Sequence, residues 1–215
     1  MDNLNYVLFI CMAVPLGLSL FLLEHKARQV ILYILLGISC CLFISEVNQQ
    51  ILKLFDNDVF YVTTIFTPIT EEVIKALPLL FFAYAVSSDR IRLLNISLAM
   101  GLGFAILENI IILIDDIQAV TVLWALGRGF ASSLMHSVCT AMVGYGLSFI
   151  FTRKKLFIPG TFSLLFLAIT VHAIFNCLMQ SDYPWLGLIL PMLCYIPIVI
   201  FSLTRRKNKR KKQTT

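Results

Sequence analysis

Long apolar runs broken by short polar segments dominate this chain. Seven of them approach or exceed the ~20 residues a helix needs to cross a bilayer: approximately 4–23, 29–47, 60–86, 93–114, 121–151, 156–179 and 185–204. Alternating strand patterns are absent, and the runs exceed strand length, so the pattern predicts an all-α polytopic transmembrane helix bundle. Residues 1–204 read as one transmembrane domain, with 205–215 as a basic tail.

Composition agrees with that reading. Apolar residues make up 59% of the chain, charged residues only 13%, and the mean hydropathy is +0.89, values that exclude an ordinary soluble domain. The start Met1-Asp2-Asn3 carries no positive n-region, so the first run is expected to remain as a span and not to be cleaved as a signal peptide. The six cysteines all fall in apolar runs without a C-x-x-C pair, and read as small hydrophobes.

The distribution of charge orients the spans. Fourteen of the seventeen Lys and Arg residues fall on one side: Lys26, Arg28, Arg90, Arg92, Arg153 to Lys155, and the run from Arg205 to Lys212. The other side carries Asp2, Asp56, Asp58, Asp115, Asp116 and Asp182, with Lys53 as its basic residue. By the positive-inside rule this predicts seven spans, the N-terminus outside and the C-terminus cytoplasmic. The tail abuts a span and reads as a topology determinant facing the lipid bilayer; no nucleic-acid partner is expected.

Charges inside the apolar runs are the exception that points to function. Glu71, Glu72 and Lys75 fall in the third run, Glu108 in the fourth, Arg128 and His136 in the fifth, and His172 and Asn176 in the sixth. Insertion of a charged residue at the bilayer centre costs roughly 2.5–3.5 kcal/mol, so such groups mark pathways or reactive sites. Lys75 is four residues from Glu71 and three from Glu72, within reach of both on one helix face. Thr67-Pro68 reads as a helix start below the outer surface, which would put both glutamates at the positive end of a helix dipole. Gly101 and Ala105 would let a neighbouring helix approach Glu108 closely. Arg128, Ser132, His136, Thr140 and Gly144 recur every four residues as a polar and small stripe that winds slowly round its helix. His172 and Asn176 share a face one turn apart.

If ionised, the three carboxylates outnumber Lys75 and Arg128 by one, a surplus that low dielectric does not tolerate uncompensated. Protonation, an imidazolium, water or a metal ion would answer it. Lys75 and Arg128 are expected to act as counter-ions. A non-enzymatic proton or ion carrier would use the same groups as a relay, although the paired halves common in transporters are not visible. An immunity- or chaperone-like protein that binds a membrane partner is a further alternative.

Four motifs follow one another on successive runs: Glu71-Glu72-x-x-Lys75, Phe104-x-x-x-Glu108-Asn109, His136-x7-Gly144 and His172-x-x-x-Asn176. In that order they resemble the PrsW family of intramembrane proteases, a branch of the superfamily that holds CAAX prenyl endopeptidases and bacteriocin-immunity proteins. The motifs cover residues 67–179, about half the chain. The resemblance implies a multi-pass endopeptidase of the bacterial plasma membrane that cuts a single-span membrane protein, such as an anti-sigma factor, on its extracytoplasmic side. The motifs suggest Glu71 as the base that activates water, assisted by Glu108 or His136, with Glu72 and Lys75 positioning it; Glu72 in place of Glu71 as the base is an open alternative. His172 and Asn176 would stabilise the oxyanion. Metal-free glutamate chemistry is expected, because there is no His-Glu-x-x-His; the metal-dependent alternative would bind zinc through Glu71, Glu108, His136 and His172.

Overall fold

The structure, a computed structural model, describes residues 4–115, 118, 120–193 and 196, all but the loops and turns helical. The helices are α1 (Leu4–Leu22), α2 (His25–Leu54), α3 (Val59–Tyr61), α4 (Thr67–Ala85), α5 (Arg90–Asp115), α6 (Val122–Leu147), α7 (Phe149–Thr152) and α8 (Lys154–Met179), with a π-helical segment Val62–Phe66 joining α3 to α4. A further apolar helix spans Pro184–Leu193. Among the described residues, five helices are long and apolar enough to cross a membrane, and the chain is a multi-pass membrane protein. Phe21, Phe81, Leu123 and Phe166 are each more than half exposed, an outward apolar coat that suits lipid contact.

The five correspond to the first, second, fourth, fifth and sixth apolar runs. The third run differs because α4, although 19 residues long, carries Glu71, Glu72 and Lys75. It sits among α2, α5, α6 and α8. Its buried side chains include Leu79, Phe82 and all three charged residues. Half of the seventh run, the basic tail 205–215 and Cys194 lie outside the described residues, as does Asp116. Cys41 and Cys139 are buried as expected, whereas Cys11 and Cys177 face outward.

Two apolar clusters flank the charged layer. One joins Leu79 and Phe82 of α4 to Met100 of α5, Met135 and Cys139 of α6, and Phe175 of α8. The other joins Ile38, Cys41 and Ile44 of α2 to Phe104 and Leu107 of α5. Close backbone approach sets the α5–α6 spacing: a Cβ on Gly101 would lie 2.6 Å from the His136 carbonyl oxygen and from Ser137 Cα. The helix that carries His136 therefore rests directly on the α5 backbone. This is the close approach expected of Gly101, directed at the strand of main chain that bears the imidazole.

The α-helix begins at Thr67, as expected, but it follows the π-helical segment without a break and so has no free terminus there. Phe66 already has right-handed helical dihedrals, φ −78° and ψ −43°, and the Thr67 N–H donates to the Val62 carbonyl, so the helix continues through Pro68. The glutamates thus do not lie at a free helix terminus, and the dipole argument for their position lapses. Pro68 instead leaves a local deficit. Thr67 N–H is committed to Val62 and Pro68 has no N–H, so the Thr63 carbonyl finds no donor along its own helix.

Candidate active site

Helix periodicity builds the centre of the site on α4. Glu71 and Glu72 point about 100° apart, and Lys75, one turn on, lies between them. Its Nζ donates to Glu72 Oε1 at 2.6 Å and stands 3.9 Å from Glu71 Oε2. All three side chains are buried, Glu72 and Lys75 completely. The ammonium also lies over the Phe104 ring, 4.4 Å from its centroid, a cation–π contact in a water-poor setting.

Each histidine is held by a carboxylate at one nitrogen. His136 on α6 packs against Phe104 with the rings tilted by 48° and centroids 4.8 Å apart, and its Nε2 lies 2.8 Å from Glu108 Oε2. Its Nδ1 lies 3.2 Å from Lys75 Nζ. An ammonium only donates, so Nδ1 accepts and the proton sits on Nε2, which donates to Glu108. Ser132, one turn before His136, donates to the same Glu108 oxygen at 3.1 Å. His172 on α8 donates from Nδ1 to Glu72 Oε1 at 3.0 Å. Its Nε2 then bears the lone pair in the neutral ring and makes no hydrogen bond among the described residues.

Those two lone-pair nitrogens converge on one oxygen. Glu71 Oε2 lies 3.8 Å from His136 Nδ1 and 3.7 Å from His172 Nε2. It is buried and makes no hydrogen bond among the described residues. The imidazole rings meet edge to face with centroids 5.0 Å apart. One donor atom from each of Glu71, Glu72, His136 and His172 falls within 4.8 Å of the others, a spacing that a metal ion could bridge. Two imidazoles and a carboxylate form a donor set suited to zinc, and a second carboxylate behind each imidazole is the usual support for such ligands.

The structure brings Glu71, Glu72, Lys75, His136 and His172 together in one buried layer, with Glu108 at its edge. Glu108 and His172 each lie seven residues before the end of their helix, hence about 10 Å below it. Glu108 stands behind His136 rather than beside Glu71, so it does not fit the ligand role given to it in the zinc alternative. Its side chain retains 20% of its surface, against 4% or less for Glu71, Glu72 and both histidines.

Two residues behave differently from expectation. Asn176 does not donate into the cluster: its Nδ2 donates to the Thr63 carbonyl at 2.9 Å, supplying the donor that Pro68 removes. Gln180 reinforces the same point through Thr63 Oγ1 at 3.0 Å. Arg128 forms no ion pair within 4.0 Å among the described residues, and its buried Nε makes no hydrogen bond there, so it is not a direct counter-ion of the carboxylates. Phe104 and Ser132 gain roles that the motif and the stripe marked without explaining.

A multi-pass bundle enclosing a carboxylate–imidazole cluster fits a membrane-embedded hydrolase. Residues 24–202 match the PrsW family of intramembrane metalloproteases, and the chain belongs to that family. No curated protein and no solved structure matches it. Membership makes it an intramembrane protease and leaves a carrier role without support. The expected preference for metal-free chemistry is not supported either, because the family is one of metalloproteases and the buried donors fit a metal.

Proposed function

We propose that this protein uses a divalent metal ion, zinc by donor type, to hydrolyse a peptide bond in a membrane-anchored protein. The observation that carries the proposal is the buried, unbonded Glu71 Oε2 facing His136 Nδ1 and His172 Nε2 at 3.8 and 3.7 Å. Glu71, His136 and His172 would hold the metal, with Glu108 and Glu72 orienting the two imidazoles. Charge supports this: three carboxylates face one ammonium, and a divalent ion offsets the surplus. When bound, such an ion activates a water as nucleophile and polarises the scissile carbonyl.

The remaining steps fall to the protein. Glu108 is the most exposed carboxylate of the group and uses only Oε2 for His136 and Ser132. Held at Nε2, across the His136 ring from the nitrogen that would face the metal, it would move protons between the site and water rather than meet the attacking water directly. Lys75 and Glu72 keep the α4 face rigid, and the apolar clusters exclude bulk water.

The substrate class is a single-span protein, such as a bacterial anti-sigma factor, cut near the extracytoplasmic side of the plasma membrane. The charge distribution of the loops supports this side through a seven-span arrangement with the N-terminus outside. The motif order also supports kinship with the CAAX protease and immunity-protein superfamily. Co-expression with a single-span reporter tests the activity. Glu71→Ala and His172→Ala should abolish cleavage at unchanged protein level, and a chelator should abolish it for the unsubstituted enzyme until zinc is restored. Full cleavage in either variant, or indifference to chelation with no metal in the purified protein, would sink the proposal.

A further inference from the structure

Lys75 occupies a contested position. His136 is tied to Glu108 through Nε2, so the nitrogen it can offer toward Glu71 is Nδ1. That nitrogen accepts a hydrogen bond from Lys75 Nζ at 3.2 Å. An imidazole nitrogen has one lone pair in the ring plane, and it serves either an N–H donor or a metal ion. Lys75 and a metal therefore exclude each other at His136 Nδ1.

The ammonium can yield without becoming stranded. Its shortest contact, 2.6 Å to Glu72 Oε1, is on its own helix one turn away, and the Phe104 face at 4.4 Å offers a second resting place. Only the bond to His136 has to break. Rotation about the four-carbon stem accomplishes that while the charge stays paired.

We propose that Lys75 is a resident counter-cation that competes with the metal for His136 Nδ1 and thereby sets which ions the site accepts. This rests on the reading that Glu71, His136 and His172 hold the metal. While the ammonium engages Nδ1, it gives the clustered carboxylates a positive neighbour and keeps the His136 ring in its ligating orientation. An ion with high affinity for imidazole, such as Zn²⁺ or Co²⁺, displaces it. Mg²⁺ and Ca²⁺, which favour oxygen and bind nitrogen poorly, do not. The imidazoles already favour such ions, and the ammonium sharpens the preference, because an incoming ion has to displace it at Nδ1 before both rings can bind.

Zinc affinity measured on the purified full-length protein, by competition with a chromophoric chelator, tests the proposal without reference to activity. Lys75→Met removes both the donor and a unit positive charge, and should tighten zinc about tenfold or more. Lys75→Gln keeps an N–H donor without the charge and should tighten it less, while the unsubstituted protein should bind zinc undisturbed by excess Mg²⁺ or Ca²⁺. Zinc binding by Lys75→Met that is unchanged or weaker overturns the proposal but leaves the metal reading intact. If neither protein binds zinc, or Glu71→Ala binds it as tightly as the unsubstituted chain, the metal reading itself fails and this inference with it. Should Lys75→Met not fold, ¹⁵N-histidine protein loaded with ¹¹³Cd²⁺ decides: one Nδ1 and one Nε2 coupling are expected, and couplings confined to Nε2 overturn the proposal.

Discussion

Glu72 on α4 and His172 on α8, a hundred residues apart in the chain, meet through a 3.0 Å hydrogen bond from imidazole Nδ1 to carboxylate Oε1. The same oxygen accepts from Lys75 at 2.6 Å. One atom thus fixes the ring orientation of a histidine and the position of a buried ammonium.

That double role makes Glu72 the structural keystone of the site. Glu72→Ala leaves Lys75 as a buried charge without its closest partner, and should lower stability by about 3–5 kcal/mol. Glu72→Gln, which retains an acceptor oxygen and the same volume, should cost less. Denaturation of the purified protein in mild detergent checks the order; equal stability of both variants and the unsubstituted chain would refute it.

Gly101 should be intolerant of any side chain. Its Cβ would lie 2.6 Å from the His136 carbonyl, a backbone atom with nowhere to move except with all of α6. Gly101→Val is expected to cost about 1–3 kcal/mol or more through overpacking, and to reduce cleavage by shifting His136. Gly17→Ala, where nothing lies within 4 Å, should leave both properties intact. A melting curve and a reporter assay on the two variants distinguish local crowding from a general loss of helix packing.

Asn176 and Pro68 should behave as a coupled pair. Asn176→Ala withdraws the donor from the Thr63 carbonyl and should destabilise the fold by about 1–2 kcal/mol, with faster hydrogen exchange across residues 59–66. Pro68→Ala restores a backbone N–H to that region, so the double variant should lose less than the sum of the two single losses. A group acting on the oxyanion would instead lose about 10²–10³ in kcat at constant stability, without rescue by Pro68→Ala.

Ser132 supplies one of two hydrogen bonds to Glu108 Oε2. Ser132→Ala should change stability by no more than about 1 kcal/mol, because His136 still holds the carboxylate. Cleavage should fall through kcat rather than KM, since the affected oxygen belongs to the group proposed to move protons. A rise in KM at constant kcat would assign Ser132 to substrate binding.

Much of this arrangement is legible along the chain wherever the relationship is local. Uninterrupted apolar runs dictate helices, because a backbone in lipid satisfies its own hydrogen bonds only in that form or in a closed barrel. The three- and four-residue spacing of Lys75 from its glutamates dictates a shared face, since the helical period leaves no other arrangement. Charge inside those runs identifies Glu71, Glu72, Lys75, Glu108, His136 and His172 as the residues to examine. Pro68 also announces the start of α4 at Thr67, although not the π-helical passage Val62–Phe66 that leads into it.

The contacts between helices were decided by the tertiary structure. Which nitrogen of His136 faces Lys75, and which faces Glu108, depends on the rotation of α6 against α4 and α5, and no spacing within one helix encodes that rotation. Asn176 has the composition of an oxyanion donor, yet its amide meets Thr63 because Pro68, 108 residues earlier, leaves a carbonyl without a donor on a neighbouring helix. Arg128 sits on the same stripe as His136 but makes no ion pair within 4.0 Å among the described residues. The sequence alone determined that charge is buried in this membrane protein and on which helices. Packing, which sets the depth and rotation of each helix against its neighbours, decided which charges meet.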